Sequence, residues 1–269
     1  MRMMLDAHPD LAIPGETHFL AELMCEGMPN EGLSRAEFLR VVTTAPTWPN
    51  LGLEAQELSA CVGAIDPFTL ADGVRCFYRL YATAHNKRRW GDKTTTYRVS
   101  MPGIAAMLPE AHFIHMIRDG RDVALSYRGL WFGPGDDIDV QARFWVDQIS
   151  LARSHAKRLS RYLEVKYEDL IADPEAQLQR ACRFLRLPYD SQMLSYHRFA
   201  NERLAEHTTP FGPPGTPESI DVFLGIFKRA TQPLDPGRVG RWRTEMSGDD
   251  QQRYEATAGA LLKELGYKT

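Results

Sequence analysis

The sequence predicts an α/β fold with a parallel core sheet, because short apolar runs typical of buried strands alternate with segments of helical periodicity. The clearest runs are HFIHMI (residues 112–117) and YLEVKY (residues 162–167), and a helical pattern follows each of them. The chain has 269 residues, of which 43% are hydrophobic and 25% charged. That composition is ordinary for a globular protein with a sizeable core, and the length fits one domain over residues 1–269.

The N-terminal part of the chain combines helical signals with one short extended piece. Residues 1–8 fit the last turns of a helix, and LAIPGE (residues 11–16) fits an extended segment after it. Ser34, followed three residues later by Glu37, forms a capping box. This box predicts a helix through about Thr43.

Between residues 44 and 111 the strongest signal is one amphipathic helix. Proline and glycine are frequent over residues 44–66, so we expect this stretch to be irregular. A short strand is predicted at residues 89–91 and a helix from about 96 to 108. The amphipathic helix is predicted from Pro67 onwards by apolar residues at helical spacing, namely Leu70, Val74, Phe77, Tyr78 and Tyr81.

The second half of the chain alternates more regularly. The strand at 112–117 leads into RDGRDVALSY, where a helix is expected to begin at about Gly120. The stretch 207–218 contains four prolines and two glycines and is expected to be a loop. Further helices are predicted over residues 139–160, from Pro174 to about Leu185, and from a cap at Ser247 and Asp250 to about Gly266.

Charge and composition exclude several classes of partner. The net charge of −3 and the pI near 6.3 provide no basic field for nucleic acid or anionic lipid. No apolar run of about eighteen residues predicts a membrane span, and residues 1–10 lack the order of a secretory signal, so we expect a cytoplasmic location. Four cysteines are scattered without CxxC spacing and are expected to be reduced and mostly buried: Cys25, Cys61, Cys76 and Cys182.

Arg118 is the first candidate for anion binding. It lies between an apolar strand and a helix, at the carboxyl edge of a parallel sheet, where ligands bind in such folds. The helix N-terminus and the guanidinium could grip a phosphate, and Ser126, two helical turns on, could add a hydroxyl. The same pattern also fits a surface arginine that pairs with Asp119 or Asp122 while Ser126 faces solvent.

Two other basic segments are open to the same pair of interpretations. The first lies in and around PGRVGRW, whose glycines allow backbone to approach an anion closely, and its alternative is a solvated basic loop. The second is HNKRRWGDK (residues 85–93), where Lys93 follows the predicted strand and either enters the cleft or lies on the surface. The basic residues near PGRVGRW are Lys228, Arg229, Arg238, Arg241 and Arg243.

Glu16, in PGETHF, is a candidate general base. Its alternative is a first-turn carboxylate that interacts with a helix dipole, and His18 is a rival base two residues away. His115, on an apolar strand, is interpreted as a core histidine. The sequence contains no GxxxxGK[ST], so it predicts no Walker-type ATP site, and no HExxH or paired spacing predicts a metal site.

The order of these signals resembles one family. The chain is similar to bacterial sulfotransferases of the group nearest the tyrosylprotein sulfotransferases. The resemblance runs in family order from residue 3 to residue 267. It is carried by MLDAHPDLAIPGETHFL, WGDKTTTY, LPEAHFIHMIRDGRDVALSY, VKYEDLIADPEAQLQRACRFLRLP, QPLDPGRVGRW and a terminal ELGY.

The resemblance implies a P-loop nucleoside-triphosphate-hydrolase-like parallel sheet flanked by helices, and a site for 3′-phosphoadenosine 5′-phosphosulfate. It assigns Glu16 as base toward the acceptor hydroxyl and Lys93 beside the bridging oxygen of the phosphosulfate. It implies a hydroxyl-bearing acceptor, namely a small molecule, a carbohydrate or a peptide, and no metal. The residues it assigns to the nucleotide are Arg118, Ser126, Tyr167, Gly237, Arg238, Gly240, Arg241 and Trp242.

The sequence departs from the family pattern at three places. The glycine-rich GxPRSGTT loop does not precede Met1, KTTTY replaces Lys-Thr-Pro or Lys-Asp-Pro, and Leu130 replaces a nucleotide-binding arginine for which Arg128 is a substitute. The resemblance thus implies a domain without its first, phosphosulfate-loop strand. We expect these 269 residues to be poorly soluble or inactive, and a version extended by that strand and loop to fold and be active.

Three functions fit these observations. The first is a sulfotransferase. The second is a non-catalytic remnant that still binds 3′-phosphoadenosine 5′-phosphate or an acceptor. The third, a P-loop small-molecule kinase, is disfavoured by the lack of GK[ST]. No pattern selects the acceptor or indicates an oligomeric state.

Overall fold

The computed structural model describes residues 1–24, 33–130, 132–206 and 228–269. They fall into two compact units. The first unit comprises Met1–Ala111 and Tyr189–Pro233, and the second comprises His112–Pro188 and Leu234–Thr269. The single domain expected for residues 1–269 stays a prediction, and the loop predicted at 207–218 lies outside the described residues.

Short parallel strands and many helices build both units. The strands are β1 (Leu11–Ala12), β2 (Arg89–Trp90), β3 (Phe113–Ile117) and β4 (Tyr162–Lys166). The α-helices are α1 (Arg2–Asp6), α2 (Phe19–Leu23), α3 (Arg35–Thr44), α4 (Ala55–Gly63), α5 (Leu70–Ala84), α6 (Met101–Met107), α7 (Gly120–Tyr127), α8 (Ile138–Ala156), α9 (Tyr167–Ala172), α10 (Pro174–Leu185), α11 (Ala200–Ala205), α12 (Trp242–Glu245) and α13 (Gly248–Glu264). Short 3₁₀ helices cover Trp48–Leu51, Thr95–Val99, Ser191–Arg198, Lys228–Thr231 and Pro236–Arg238. No helix in these ranges is long and apolar enough to cross a bilayer.

Each unit contains one parallel strand pair. In the first unit, β1 pairs with β2 so that Leu11 faces Arg89 and Ala12 faces Trp90. In the second unit, β3 pairs with β4 over five residues, from Phe113 opposite Tyr162 to Ile117 opposite Lys166. Because parallel strands end at the same edge of a sheet, each pair brings together the residues that follow its two strands.

Several helix boundaries agree with their sequence signals. The Ser34 hydroxyl accepts a hydrogen bond from the Glu37 amide at 3.1 Å, and α3 begins at the next residue. The predicted helix from Pro174 to Leu185 is confirmed as α10. The Ser247 hydroxyl likewise caps α13 by accepting from the Asp250 amide. The helix expected over 96–108 is a 3₁₀ turn followed by α6.

The interpretation of residues 44–66 as irregular is wrong. A 3₁₀ turn and α4 lie within this stretch, and α4 packs against α5. Leu58 and Val62, one helical turn apart, are both fully buried. Two apolar positions between proline- and glycine-rich flanks are too weak a pattern to predict a helix that depends on this packing.

The expectation of reduced cysteines is also wrong for one pair. Cys61 on α4 and Cys76 on α5 form a disulfide, with 6.3 Å between their Cα atoms. The packing of these two helices brings together cysteines that are 15 residues apart in sequence. Cys182 is buried and belongs to no disulfide of the described residues, as expected, and Cys25 lies outside those residues.

The core of the second unit lies between α7, α8, α12 and α13. Trp145, Tyr254 and Trp242 are the large aromatic residues of this core. The expectation that the first strand of this unit is buried holds only at its end, because Ile117 is buried while residues 113–116 are half-buried. Among the described residues β3 has one strand neighbour, β4, so only one edge of β3 is covered by a strand.

Candidate functional site

The second unit holds a cluster around Arg118, here called the candidate phosphate site. Arg118 follows β3 directly. Its Nη1 donates to the Ser126 hydroxyl at 2.9 Å, and its Nη2 donates to the Arg238 carbonyl at 2.6 Å. Its guanidinium lies 4.8 Å from the centre of the Tyr167 ring, which follows β4. The structure thus brings together four of the residues that the family resemblance assigns to a nucleotide: Arg118, Ser126, Tyr167 and Arg238.

The surroundings of Arg118 contain one feature of each interpretation that the sequence left open. It lies 3.8 Å from the Asp122 carboxylate, so the expected pairing with an aspartate is present, whereas Asp119 pairs with Arg121. Its side chain is only 18% exposed, and its Nε is buried without a partner among the described residues. A buried guanidinium N–H without an acceptor is costly. The unpartnered Nε therefore fits the interpretation of Arg118 as a residue that binds an anion.

The loop that carries Gly237 to Trp242 is held by Asp122. The Asp122 carboxylate is fully buried and accepts hydrogen bonds from the Gly240 amide at 2.7 Å and the Trp242 amide at 3.0 Å. Gly240 has φ +74°, a left-handed conformation that favours glycine. The Gly237 amide donates to the Asp235 side chain at 2.9 Å. These amides are therefore engaged by carboxylates of the protein.

The remaining basic residues are divided between the two units. Lys228 and Arg229 belong to the first unit, whereas Arg238, Arg241 and Arg243 belong to the second. Arg241 donates through Nε to Glu245 at 2.6 Å, so its charge is paired within the chain. The five basic residues near PGRVGRW are predicted as one group, and three of them lie in the second unit.

The Trp242 ring contacts an arginine that the sequence analysis did not identify, Arg121. The Arg121 guanidinium stacks on the Trp242 ring at 3.5 Å. It is fully buried and binds Asp119 through two hydrogen bonds, of 3.0 and 2.8 Å, Glu255 at 2.6 Å, and the Lys268 carbonyl at 2.7 Å. Its position in RDGRD gave no sign of this, because its partners lie as far as 147 residues away in sequence.

Burial also affects the phenol and the histidine of this unit. Burial raises the pKa of Tyr167, and the positive charge of Arg118 offsets part of that rise, so the hydroxyl stays protonated. His115 donates to or accepts from the Tyr162 hydroxyl at 2.5 Å, and burial lowers the pKa of the imidazole. These contacts fit the interpretation of His115 as a core histidine.

The first unit holds a second cluster, here called the candidate base site. Glu16 follows β1 and Lys93 follows β2, and the Lys93 ammonium donates to Glu16 Oε1. Glu16 Oε2 lies 3.4 Å from His18 Nε2 and accepts from the Thr95 hydroxyl at 3.4 Å. The Glu16 and Lys93 side chains are 26% and 44% exposed, so both remain accessible to solvent.

This geometry decides some of the alternatives for the base. Glu16 lies three residues before α2, so its interpretation as a first-turn helix carboxylate is wrong. His18 is the N-cap of α2 and has φ +58°, an uncommon conformation outside glycine. Since both side chains lie in the same cluster, the geometry alone does not choose between Glu16 and His18.

Two departures from the family pattern have local partners. In KTTTY, the Thr94 hydroxyl accepts from the Thr17 amide at 3.0 Å, and Thr95 contacts Glu16, so this segment is tied to the residues around the base. Arg128 lies 3.6 Å from Asp250 and is 45% exposed. Among the described residues, no group of three histidine, cysteine, aspartate or glutamate side chains is arranged to hold a metal ion.

Comparison with known proteins relates the chain to one family. A family model described as the sulfotransferase family matches residues 1–191. The chain is 24% identical over 285 residues to protein-tyrosine sulfotransferase 1 of Danio rerio, covering 99% of this chain and 68% of that protein. It is 26% identical over 297 residues to nodulation protein NoeE of Sinorhizobium fredii strain NGR234, covering 98% of this chain and 62% of that protein.

Solved structures show the same fold. The sulfotransferase domain of the Synechococcus PCC 7002 olefin synthase matches with a TM-score of 0.57 and 21% identity, over 100% of this chain and 90% of that one. The predicted α/β fold, P-loop-like with parallel strands flanked by helices, is therefore confirmed. Together with the family model, which spans well over half of the chain, this shows that the chain belongs to the sulfotransferase family.

Proposed function

We propose that this chain transfers a sulfuryl group from 3′-phosphoadenosine 5′-phosphosulfate to a hydroxyl acceptor, with Glu16 as the general base. The observation that carries the proposal is the pairing of Glu16 with Lys93 at the adjoining ends of two parallel strands. An acceptor for a proton and a cation for developing negative charge are the two groups that this reaction requires.

The residues of the candidate phosphate site suit the donor nucleotide. Arg118 offers a guanidinium with an unpartnered, buried Nε, and Ser126 offers a hydroxyl 2.9 Å from Nη1. A guanidinium binds phosphate through paired hydrogen bonds, so we assign the 3′-phosphate to these two side chains. Tyr167 and the loop from Gly237 to Trp242 complete the proposed nucleotide-binding set.

Glu16 and Lys93 would divide the chemistry between them. The donor, when bound, supplies a sulfuryl group attached to a phosphate oxygen. Glu16 accepts the proton of the acceptor hydroxyl as that oxygen bonds to sulfur, and Lys93 neutralises the charge left on the phosphate oxygen as its bond to sulfur breaks. In the free protein Lys93 is paired with Glu16, so this proposal requires Lys93 to exchange Glu16 for the phosphate oxygen.

The acceptor is proposed at the level of its reacting group. The matched Danio rerio protein is named for transfer to protein tyrosine, which bears a hydroxyl. For this chain we propose a hydroxyl on a peptide, a carbohydrate or a small molecule. No residue among the described ranges selects one of these classes.

Transfer of radiolabelled sulfate from the donor to a panel of tyrosine peptides, oligosaccharides and phenols tests the proposal. Glu16→Gln is expected to lower turnover on the order of 10²–10⁴-fold while leaving the affinity for 3′-phosphoadenosine 5′-phosphate unchanged. Glu22→Gln, an exposed carboxylate on α2, is the matched control and should retain activity.

Other outcomes would reassign the function. If His18→Ala, and not Glu16→Gln, abolishes turnover, the base is His18. If the wild-type chain binds 3′-phosphoadenosine 5′-phosphate but transfers sulfate to no acceptor, the protein is a non-catalytic binding member of the family. Phosphate transfer from ATP to the same acceptors would instead indicate a kinase.

A further inference from the structure

A largely buried polar cluster adjoins the candidate base site in the first unit. We call it the Thr17 cluster, and its members are buried except for Asp92, which is half-buried. Its members come from the chain next to Glu16, from α5 and from the segment after β2, and they are Thr17, Tyr78, Asp92, Thr94 and Tyr97.

Thr17 is fixed through its backbone and through its side chain. Its amide donates to the Thr94 hydroxyl at 3.0 Å, and its carbonyl accepts from the Thr47 hydroxyl at 2.9 Å. Its own hydroxyl donates to Asp92 Oδ2 at 2.8 Å and lies 2.9 Å from the Tyr97 hydroxyl. Thr17 is fully buried, and these hydrogen bonds satisfy its polar groups. They therefore fix the position of its backbone and of its side chain.

Asp92 is an unusual residue to find in this position. It is half-buried, its Oδ2 accepts hydrogen bonds from Thr17 and Tyr78, each at 2.8 Å, and no salt bridge joins it to a cation among the described residues. Burial raises the pKa of its carboxyl group, and hydrogen bonds from Thr94, Tyr78 and Thr17 offset part of that rise. A carboxylate whose Oδ1 is buried and that pairs with no cation disfavours folding, so a gain in stability does not explain its presence.

The position of the cluster in the chain suggests what it does. Thr17 is the residue next to Glu16, and Asp92 is the residue next to Lys93. The hydrogen bond between Thr17 and Asp92 therefore links the two backbone segments that carry the proposed base and its cation. We propose that Thr17 and Asp92 are positioning residues that hold Glu16 and Lys93 in register.

The pair needs such support because it cannot fix its own geometry. An ion pair between partly exposed side chains contributes little, and both side chains are long and flexible. A displacement of about 1 Å at a reacting group can lower the rate on the order of 10²-fold. The inference rests on the proposed function for the roles of Glu16 and Lys93, while the pairing that it explains belongs to the free protein.

The decisive variant is Thr17→Val, which keeps the shape of the side chain and removes its hydroxyl. Thr17→Ser restores the hydroxyl, and Thr43→Val removes a hydroxyl that donates only within α3 and serves as the matched control. The primary measurement is the rate at which an acylating reagent modifies Lys93, followed by mass spectrometry, with Glu16→Gln defining the rate of the unpaired lysine.

The hydrogen bond from the Lys93 amino group to Glu16 restricts the approach of that group to a reagent. Thr17→Val is therefore expected to raise the Lys93 rate about two- to five-fold, toward that of Glu16→Gln, as for loss of a partly exposed ion pair. Thr17→Ser and Thr43→Val should keep the wild-type rate. In active protein, Thr17→Val should also lower kcat on the order of 10- to 100-fold without changing nucleotide affinity.

A cooperatively folded Thr17→Val protein that keeps the wild-type Lys93 rate would overturn the proposal. If this variant does not fold, the Lys93 labelling rate is measured in Thr94→Val, which removes the acceptor of the Thr17 amide. Thr94→Ser restores that hydroxyl and should restore the wild-type rate. The labelling experiment needs neither donor nor acceptor. A wild-type protein without sulfate transfer would therefore refute the proposed function and still leave the positioning role open to measurement.

Discussion

Replacing Arg118 by alanine should weaken the binding of 3′-phosphoadenosine 5′-phosphate selectively. Arg118 makes two hydrogen bonds within the protein, to Ser126 and to the Arg238 carbonyl, and stacks on Tyr167, so its guanidinium is held in one place before any ligand arrives. Because the group is preorganised, little ordering cost offsets its contact with a phosphate.

The size of the effect follows from the burial of the side chain. At 18% exposure the charge is poorly screened, and the lost interaction is a charge-assisted hydrogen bond of about 1.5–3 kcal/mol. The dissociation constant should therefore rise about 10- to 150-fold. Arg118→Lys keeps the charge but loses the planar fork, so its effect should lie between those of the wild type and Arg118→Ala.

Calorimetric titration with two nucleotides makes the test specific. Adenosine 5′-phosphate lacks the 3′-phosphate, so its affinity should be the same in wild type and Arg118→Ala. Arg253→Ala, which removes an exposed arginine of the same unit that pairs with Asp139, is the control and should bind both nucleotides normally. Equal losses for the two nucleotides would mean that Arg118 supports the fold of the site and does not contact the 3′-phosphate.

Three further predictions concern stability. Arg121→Met leaves the buried Asp119 carboxylate without its cation and should lower the free energy of unfolding by about 3–5 kcal/mol in urea titrations; a loss below about 1 kcal/mol would contradict this account. Burial lowers the pKa of His85 and of His115 from the ordinary value near 6.5, so the native state favours the neutral imidazoles. The stability that these neutral imidazoles contribute is complete above about pH 6.5 and decreases as the pH falls below it. In urea titrations at several pH values, the free energy of unfolding of His115→Asn should decrease less at low pH than that of the wild type. Leu58→Ala should cost about 2–5 kcal/mol if α4 is part of the core, whereas an irregular surface segment would tolerate the change.

The parts of the structure that sequence predicted are those with a strong local signal. The apolar run at 112–117 followed by Arg-Asp-Gly located β3, Arg118 and the start of α7 correctly, because the pattern changes at the boundary itself. The cap at Ser34 was equally clear, since a capping box involves only neighbouring residues.

The parts that were missed depend on partners distant in sequence. Helix α4 is stabilised by packing on α5, and the Cys61–Cys76 bond exists only because these helices meet. The Thr17 cluster gave no signal at all, because threonine and tyrosine are common residues and Thr17 meets Asp92 across 75 positions. The approximate location of the candidate site could thus be predicted from sequence, while the residues that hold it in place could not.

Trp242, whose ring contacts two arginines, gives the protein an intrinsic optical probe. Its ring lies 3.5 Å from the Arg121 guanidinium and 4.8 Å from that of Arg243, and its Nε1 is buried without a partner among the described residues. Indole fluorescence responds to nearby charge and to solvent, so any shift of the loop from Gly237 to Trp242 changes the emission of this residue. The difference in emission between the wild type and Trp242→Phe isolates that signal from the other tryptophans. A titration in a fluorimeter can then follow the loop in real time without an attached dye.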